Sequence, residues 1–364
     1  MGAKMPNDLR HFGSADGPLT RRAFVKALGL SATSLALDLR LAGTEEEVLE
    51  VPVLDGEWWQ IAPNAPDVGR WSTGKENACD FTVFRDAAGR WRCIACIRGT
   101  SHHGKRLFFQ WAADHLTDRD WQPVGILEAP RGRRGRPPKP TSVQAPHVFR
   151  HAGRYYLFYN SGPAFCMISE DGRRWRPHQS VEGERVFFPM GRDVCLFHDE
   201  VNARWIAYYC GTAQVAGQRR GAMVARTAPT PEGPWSEGEE TVRLEGNPES
   251  PYVLRRGHHC YLWQQMSVIR SDDPLDFDRP LVNHMTGLWY NGKWAPEVIR
   301  HDGGYYLAGY GRGIHVAPMK WVQRTAEQVR RWRKEWQEYL AEERRKRRER
   351  ERRRRGAAEG ESNR

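Results

Sequence analysis

The sequence predicts an all-β protein and, more specifically, a five-bladed β-propeller. Its 364 residues include 15 Trp, 12 Tyr, 13 Phe and 35 Gly, a composition that, without helical periodicity, favours short strands joined by tight turns. A hairpin pattern recurs five times along the chain, and each recurrence leaves room for two further strands. Four strands repeated five times are typical of a propeller, and we place this domain at residues 50–322.

Each repeat opens with a short polar or acidic segment, followed by an apolar strand, a turn bearing Gly or Asp, and an aromatic strand. The steps between successive openings are 65, 48, 56 and 47 residues. One hairpin of this kind would be an ordinary antiparallel turn, but five in sequence indicate a repeat architecture. The openings are anchored at Asp80, Ala145, Asp193, Glu249 and Pro296.

The charge of the chain is concentrated at one end. Residues 324–364 contain 16 Lys and Arg against 9 Asp and Glu, a net +7 of the total +11, which leaves +4 for the rest. This pattern assigns the basic character to an appendage and not to the propeller. Because the appendage has few aromatic residues and many glutamates, no specific nucleic-acid partner is expected.

The appendage, residues 323–364, is predicted to contain a helix followed by a charged tail. Strong helix formers dominate from Thr325 to Arg355, and Gly and Pro are absent from that range. Trp332, Trp336 and Tyr339 share one helix face, which we expect to pack on the propeller. The stretch from Arg344 to Arg355 is almost wholly charged, typical of a solvated helix or a disordered tail.

The seven cysteines are too few and odd in number for a disulfide scaffold. Cys93 and Cys96 form a Cys-x-x-Cys sequence inside a predicted strand. Residues three apart on a strand point to opposite faces, so we interpret the two as buried small apolar residues and expect no metal site.

Residues 1–45 contain a segment from Thr20 to Lys26 that resembles a twin-arginine export signal, with the pair Arg21-Arg22 followed by Phe24. The apolar stretch after it, residues 27–37, is too short for a membrane span but has the length of a signal-peptide core. The resemblance implies export of a folded protein by the twin-arginine translocase to a bacterial periplasm or beyond. An amphipathic helix beginning at Thr20 is the alternative.

Polar residues cluster at the starts of the predicted innermost strands, and these starts converge at the central channel of a propeller. Converging carboxylates raise one another's pKa values. Two carboxylates flanking a glycosidic bond supply what its cleavage needs, one protonating the leaving oxygen and the other attacking carbon or activating water. The residues at these starts are Asp80, His147, Arg192, Asp193, Glu249 and Glu297.

The order of an acid, then Arg192-Asp193, then Glu249-Ser250-Pro251 resembles the five-bladed glycoside hydrolases of the invertase, levansucrase and arabinanase group, families 32, 43 and 68. The resemblance implies that Asp80 is the nucleophile or base, Asp193 the transition-state stabiliser and Glu249 the general acid. Two departures are visible, because Phe81 and Val194 stand where the group often has proline.

The resemblance also implies an oligo- or polysaccharide substrate, and Trp71, His147, Arg192, Trp294 and Glu297 are candidate substrate contacts, since aromatic faces stack on sugars and polar groups bond hydroxyls. No cofactor is expected, although a structural Ca²⁺ in the central channel occurs in some relatives. The alternative function is that of a propeller that binds carbohydrate without cleaving it, which the loss of proline after Asp80 favours.

Overall fold

The computed structural model describes residues 49–102, 105–128, 142–188, 192–215, 217–244, 248–277, 282, 288, 292–335, 337–338, 341–342 and 345. The predicted export segment, the side chains of Trp336 and Tyr339, and the charged tail beyond residue 345 lie outside these residues. No helix in the described part of the chain is both long and apolar enough to cross a membrane.

Five antiparallel sheets form the blades of a propeller, which confirms the predicted fold. Two strands at the start of the described chain, β1 (Leu49–Leu54) and β2 (Trp59–Ala62), belong to the last blade. Blade 1 contains β3 (Asn77–Arg85), β4 (Trp91–Arg98), β5 (Arg106–Ala113) and β6 (Gln122–Leu127). Blade 2 contains β7 (Gln144–His151), β8 (Arg154–Asn160) and β9 (Ala164–Ser169), with β10 (Arg176–Pro177) and β11 (Val186–Phe188) both paired to β9.

Blade 3 contains β12 (Arg192–Asp199), β13 (Arg204–Val215), β14 (Gln218–Ala228) and β15 (Glu240–Leu244). Blade 4 contains β16 (Pro251–Arg256), β17 (His259–Gln264) and β18 (Ser267–Ser271). Blade 5 contains β19 (Trp294–His301), β20 (Gly304–Tyr310) and β21 (Ile314–Arg324). Strand β1 pairs with β21 from Leu49 opposite Arg324 to Leu54 opposite Met319. An early strand therefore completes the last blade and closes the ring, so that both ends of the described chain are tied into one sheet.

The core lies between neighbouring blades, where the aromatic second strands pack. Phe149 stacks on Tyr156 with ring centroids 5.2 Å apart and contacts Trp205 of the next blade at 4.8 Å. Cys93 and Cys96 are fully buried and pack into two different hydrophobic clusters on opposite faces of blade 1. Their predicted role as buried apolar residues is confirmed.

Residues 326–335 form helix α1, which begins with a reciprocal cap. The backbone N–H of Gln328 donates to Thr325 Oγ1 at 3.2 Å, and the Thr325 N–H donates to Gln328 Oε1 at 2.9 Å, so two otherwise unpaired donors are satisfied. Val329 and Trp332 are buried in the cluster that contains Met319. The predicted packing of Trp332 on the propeller is confirmed.

Every innermost strand is entered through one residue in the left-handed backbone region. Four of these five positions coincide with a shift of the strand register, typical of a β-bulge. The φ values are 25° for Asp80, 45° for Ala145, 59° for Asp193, 46° for Ser250 and 50° for Ala295. Two predicted anchors are therefore wrong by one residue: the equivalent positions are Ser250 and Ala295, not Glu249 and Pro296, because the bulge places the turn of the backbone there.

Candidate active site

The five left-handed residues, which we call the bulge positions, converge at one mouth of the central channel. A cavity of about 40 Å³ opens there. It is lined by the bulge residues of all five blades and by the residues that follow them, including Phe81, Pro146, Val194, Pro251 and Pro296. Asp80 and Asp193 are the two bulge residues with ionisable side chains, so the structure brings these two predicted site residues into one cavity. We call this end of the channel the site mouth.

Two residues beyond each bulge position, a side chain bonds to the backbone of the next blade. The Val83 N–H donates to Glu297 Oε2 at 2.8 Å, and the Val148 N–H donates to Thr82 Oγ1 at 3.1 Å. These bonds cross from blade 5 to blade 1 and from blade 1 to blade 2.

The remaining blades repeat the arrangement. His147 Nε2 donates to the Leu196 carbonyl at 3.4 Å, and the Tyr252 hydroxyl donates to the Val298 carbonyl at 2.8 Å. The Cys195 thiol lies within hydrogen-bonding reach of the Val253 backbone. We call these five residues the channel belt: Thr82, His147, Cys195, Tyr252 and Glu297. His147, Tyr252 and Glu297 of the belt line the site cavity, and the belt hydrogen bonds join successive blades.

His147 and Glu297, predicted as substrate contacts, both belong to the channel belt and are buried. Burial raises the pKa of Glu297, and the neighbouring His147 side chain, with Nδ1 3.9 Å from Glu297 Oε1, opposes this rise. The structure thus places the two at the base of the cavity, where they close the channel.

Asp193 is buried at the site mouth, and its carboxylate accepts weak hydrogen bonds from two directions. The Ser250 N–H donates to Oδ2 at 3.3 Å, and the Cys210 thiol donates to the same atom at 3.5 Å. Burial, reinforced by the negative charge of Asp80, raises the pKa of Asp193 to about 7. Asp193 therefore retains a proton up to near-neutral pH.

Asp80 occupies the corresponding position in blade 1. Burial raises its pKa as well, but the positive charges of Arg98 and Arg106 oppose this effect. The Cys79 thiol donates to Asp80 Oδ2 at 3.6 Å. Each of the two aspartates thus has a thiol donor beside it, whereas the guanidinium groups near Asp80 favour its ionised form.

Glu249 precedes the bulge position of blade 4 and is held by the arginine that precedes the bulge in blade 3. Arg192 donates from both terminal nitrogens to the two oxygens of Glu249, each at 2.8 Å. This hydrogen bonding raises the pKa of Arg192. The same guanidinium lies 3.8 Å from Asp193 Oδ2, so Arg192 connects the two acids. The Arg192–Glu249 contact is therefore a bidentate pair.

Three residues of the site were not predicted from the sequence. Arg98 and Tyr310 end the second strands of blades 1 and 5, and Arg106 begins β5. Burial raises the pKa of Tyr310, and the charge of Asp80 adds to the rise. Their signal is positional, because Tyr310 pairs with Trp294 and Arg98 pairs with Asn77, shortly before the bulge positions of blades 5 and 1. Only the hairpin register reveals which residues these are.

The two predicted aromatic contacts lie in different surroundings. Trp294 immediately precedes the bulge of blade 5, is 47% exposed, and its ring centroid is 6.0 Å from that of Tyr310. It therefore forms part of the rim of the site mouth. Trp71 lies in a short 3₁₀ segment, with its ring edge-on to His102 at 4.7 Å, and it is not among the described residues that line the cavity.

The donor set of the channel does not fit Ca²⁺, which takes six to eight oxygen ligands. The belt offers one carboxylate, Glu297, whose Oε2 already accepts from Val83, together with an imidazole, a thiol and the hydroxyl groups of Thr82 and Tyr252, which are hydrogen-bonded to Val148 and Val298. At the site mouth, ligand atoms of Cys79, Asp80 and Cys96 lie within 4.8 Å of one another. The charges of Arg98 and Arg106 next to Asp80 oppose a cation there.

No family model matches the sequence, and no curated protein matches it. Solved structures do match in fold. A thermostable family-43 glycoside hydrolase is 14% identical with a TM-score of 0.51, over 70% of this chain and 91% of that one. An α-L-arabinofuranosidase from Podospora anserina, in complex with cellotriose, is 13% identical with a TM-score of 0.51, over 74% of this chain and 98% of that one. A β-xylosidase is 11% identical with a TM-score of 0.50, over 69% and 94%.

At these identities the likeness concerns the fold. The five-bladed propeller architecture of glycoside hydrolases, which the order of sequence motifs suggested, is confirmed for this chain.

Proposed function

We propose that this protein is a glycoside hydrolase that cleaves an oligo- or polysaccharide at the site mouth. The observation that carries the proposal is the cavity shared by Asp80 and Asp193, with Glu249 held beside Asp193 through Arg192. Glycoside cleavage needs two carboxyl groups in different protonation states flanking the scissile bond. The propeller fold shared with solved glycoside hydrolases supports the same conclusion.

In this mechanism Asp80 is the nucleophile or the base that activates water. It must be ionised before the sugar carbon is attacked, and Arg98 and Arg106 favour that form. Asp193 contacts the same sugar from blade 3 and stabilises the transition state. Its single proton near neutral pH keeps the two aspartates from repelling one another, since the charge of Asp80 contributes to the raised pKa of Asp193.

Glu249 is the proposed proton donor to the leaving oxygen. A general acid must carry a proton before turnover, whereas both Glu249 oxygens now accept from Arg192. The bound substrate must therefore displace at least one of these two hydrogen bonds, so that the free oxygen takes a proton and presents it to the glycosidic oxygen. Arg192 then remains bound through the other oxygen and positions the acid.

The Arg192–Glu249 pair also favours a second candidate function, a propeller that binds carbohydrate without cleaving it. If the pair stays closed when a glycan is bound, Glu249 has no free oxygen and no proton to donate. The two functions share the cavity and the rim aromatic Trp294, and they differ in whether Glu249 is released.

The test compares wild type with Glu249→Gln on aryl glycosides and on unactivated oligosaccharides. Glutamine keeps the shape of the side chain but cannot donate a carboxylic proton, so turnover of unactivated substrates should fall about 10²–10⁴-fold. The loss should be much smaller on aryl glycosides, whose leaving groups need less protonation. Glu200→Gln, an exposed glutamate of blade 3, is the matched control and should retain full activity.

Equal losses on good and poor leaving groups would remove Glu249 from the role of acid. Saturable glycan binding without cleavage of any substrate would favour the second candidate.

We further propose that the protein is exported to the periplasm or beyond through the twin-arginine translocase, on the basis of residues 20–26. Replacing Arg21 and Arg22 together by lysine keeps the charge and should leave the protein in the cytoplasm. Cell fractionation measures the outcome, and unchanged export would contradict the proposal.

A further inference from the structure

The register of the innermost strands reveals a second conserved geometry, five residues beyond each bulge position. Counting along the five strands gives a basic residue in every blade: Arg85, Arg150, His198, Arg255 and Arg300. Five residues of extended chain span about 16 Å. These side chains therefore arise at the opposite end of the channel from the carboxylates, which we call the far mouth.

In blades 3 and 4 these basic residues are neutralised by acids. Arg255 donates to Asp199 Oδ1 at 2.7 Å. His198 lies 3.9 Å from Glu200 Oε1 and stacks on Trp205. This half of the ring has its charge balanced within the protein.

The other three residues, Arg300, Arg85 and Arg150, come from consecutive blades 5, 1 and 2, and we call them the arginine arc. None of them pairs with a carboxylate within the part of the chain that the structure describes. Arg85 donates to the Gly89 carbonyl at 2.7 Å. Arg150 and Arg300 lie over the rings of Tyr155 and Tyr305, at 5.4 and 5.5 Å. All three are exposed at one side of the far mouth.

A cavity of about 330 Å³ opens beside the arginine arc. Arg85 and Arg300 line it together with the aromatic side chains Phe84, Trp91 and Phe149. His147 and Glu297 of the channel belt line this cavity as well as the site cavity. The belt therefore lies between the two cavities.

We propose that the far mouth binds an oxyanion, a sulfate or phosphate group, at the arginine arc. Guanidinium groups present planar pairs of donors that match such oxygens, and each arginine of the arc lacks a described carboxylate competitor. Phe84, Trp91 and Phe149 line the same cavity, where a sugar ring that carries the anion as an ester would contact them. The belt lies between the two ends, so this site is independent of glycoside cleavage and remains if the proposed activity proves wrong.

The experiment is a calorimetric titration of the full-length protein at low salt. The probes are inorganic sulfate, inorganic phosphate, a sulfated disaccharide and the same disaccharide without its sulfate. The arc variant replaces Arg85, Arg150 and Arg300 by glutamine. The control variant replaces Arg90, Arg154 and Arg331, which are paired with Asp114, Glu170 and Glu335. It removes the same number of positive charges from positions outside the arc.

Wild type and control should bind a sulfate-bearing probe with saturation at one equivalent, and the arc variant should bind at least about tenfold more weakly. Tighter binding of the sulfated disaccharide than of free sulfate would identify an ester on a glycan as the ligand, whereas equal binding would identify the free anion. The unsulfated disaccharide should not bind at this site.

Absence of saturable binding to every anionic probe would overturn the proposal. An equal loss of affinity in the arc and control variants would also overturn it, because binding would then depend on net charge alone. If the arc variant unfolds, the single change Arg300→Gln replaces it. That variant should lose affinity about threefold while keeping the melting temperature of wild type, and unchanged affinity would overturn the proposal.

Discussion

In blades 1 and 3 the left-handed residue at the site mouth is an aspartate, whereas in blades 2 and 5 the same backbone position carries an alanine. The φ values are 25° and 59° for the aspartates, and 45° and 50° for Ala145 and Ala295. A left-handed conformation costs a residue other than glycine about 1 kcal/mol or more. Ala145 and Ala295 have this unfavourable conformation but carry no functional group. The left-handed conformation is therefore a property of the fold and does not depend on a catalytic role.

The same backbone position thus carries different side chains in different blades, and these side chains determine where a functional site can form. The bulge turns one residue of every blade toward the channel, and the cavity then takes its character from whichever side chains occupy those positions. Two aspartates facing three uncharged residues give an asymmetric mouth with its carboxyl groups on one side. Asparagine and aspartate tolerate the left-handed region better than most residues, so the aspartates suit both the backbone and the reaction.

The largest loss of activity is expected for Asp80→Asn. The amide fits the left-handed backbone but cannot attack carbon or accept a proton, so turnover should fall about 10³-fold or more on every cleaved substrate. Steady-state kinetics measure the loss, and the melting temperature should stay near that of wild type.

The matched control is Asp302→Asn, because Asp302 also has a positive φ of 47° and its side chain is 81% exposed in the hairpin turn of blade 5. Its activity should stay within about twofold of wild type. Full activity in Asp80→Asn would show that blade 1 differs from blade 2 in charge but not in catalytic role.

A smaller effect should appear in the pH dependence of stability. The pKa of Asp193 is about 7 in the folded protein and close to 4 in an unfolded chain. The folded state therefore binds the extra proton between pH 4 and 7, and the free energy of unfolding falls as the pH rises through that range. Each unit of pKa shift corresponds to about 1.4 kcal/mol.

Asp193→Asn should remove this contribution and flatten the pH profile of unfolding, measured with urea at pH 4.5, 5.5 and 7. Asp302→Asn, which changes an exposed acid, should keep the slope of wild type. Parallel profiles for wild type and Asp193→Asn would mean that burial does not hold the proton on Asp193.

The smallest change in stability is expected at Ala145, the bulge position of blade 2. Ala145→Gly should leave the free energy of unfolding unchanged or raise it by less than about 1 kcal/mol, because glycine relieves the left-handed strain but loses more chain entropy. Ala145→Val should lower it by about 1–2 kcal/mol, since a β-branched side chain disfavours positive φ strongly. Urea denaturation distinguishes the two, and equal stability of both variants would contradict the assigned backbone conformation.

The propeller was predictable because its signal is local and repeated. Each inner hairpin combines a turn glycine with aromatic residues on the second strand, as in Gly153 before Tyr155 and Tyr156, or Gly303 before Tyr305 and Tyr306. The exact positions of the bulges could not be predicted, because alanine and serine are not residue types that indicate a positive φ. That is why the anchors in blades 4 and 5 were displaced by one residue.

The site was predictable only in part. Asp80 and Asp193 lie together because both begin innermost strands, a relation that follows from the repeat. The pairing of Arg192 with Glu249 joins side chains 57 positions apart on different blades, and Arg98, Arg106 and Tyr310 reach the site from second and third strands. Side-chain direction and strand register decide these contacts, and neither can be derived from a single sequence.

The central claim is that the acidic half of the site mouth cleaves a glycosidic bond. The most direct measurement is the release of the aryl alcohol from a panel of aryl arabinofuranosides, xylosides, fructosides and galactosides, with wild type and Asp80→Asn purified in parallel. We expect wild type to hydrolyse at least one member of the panel and Asp80→Asn to hydrolyse none. A folded wild type that binds glycans but cleaves none of these compounds, or a release of aryl alcohol that is the same in both proteins, would contradict it.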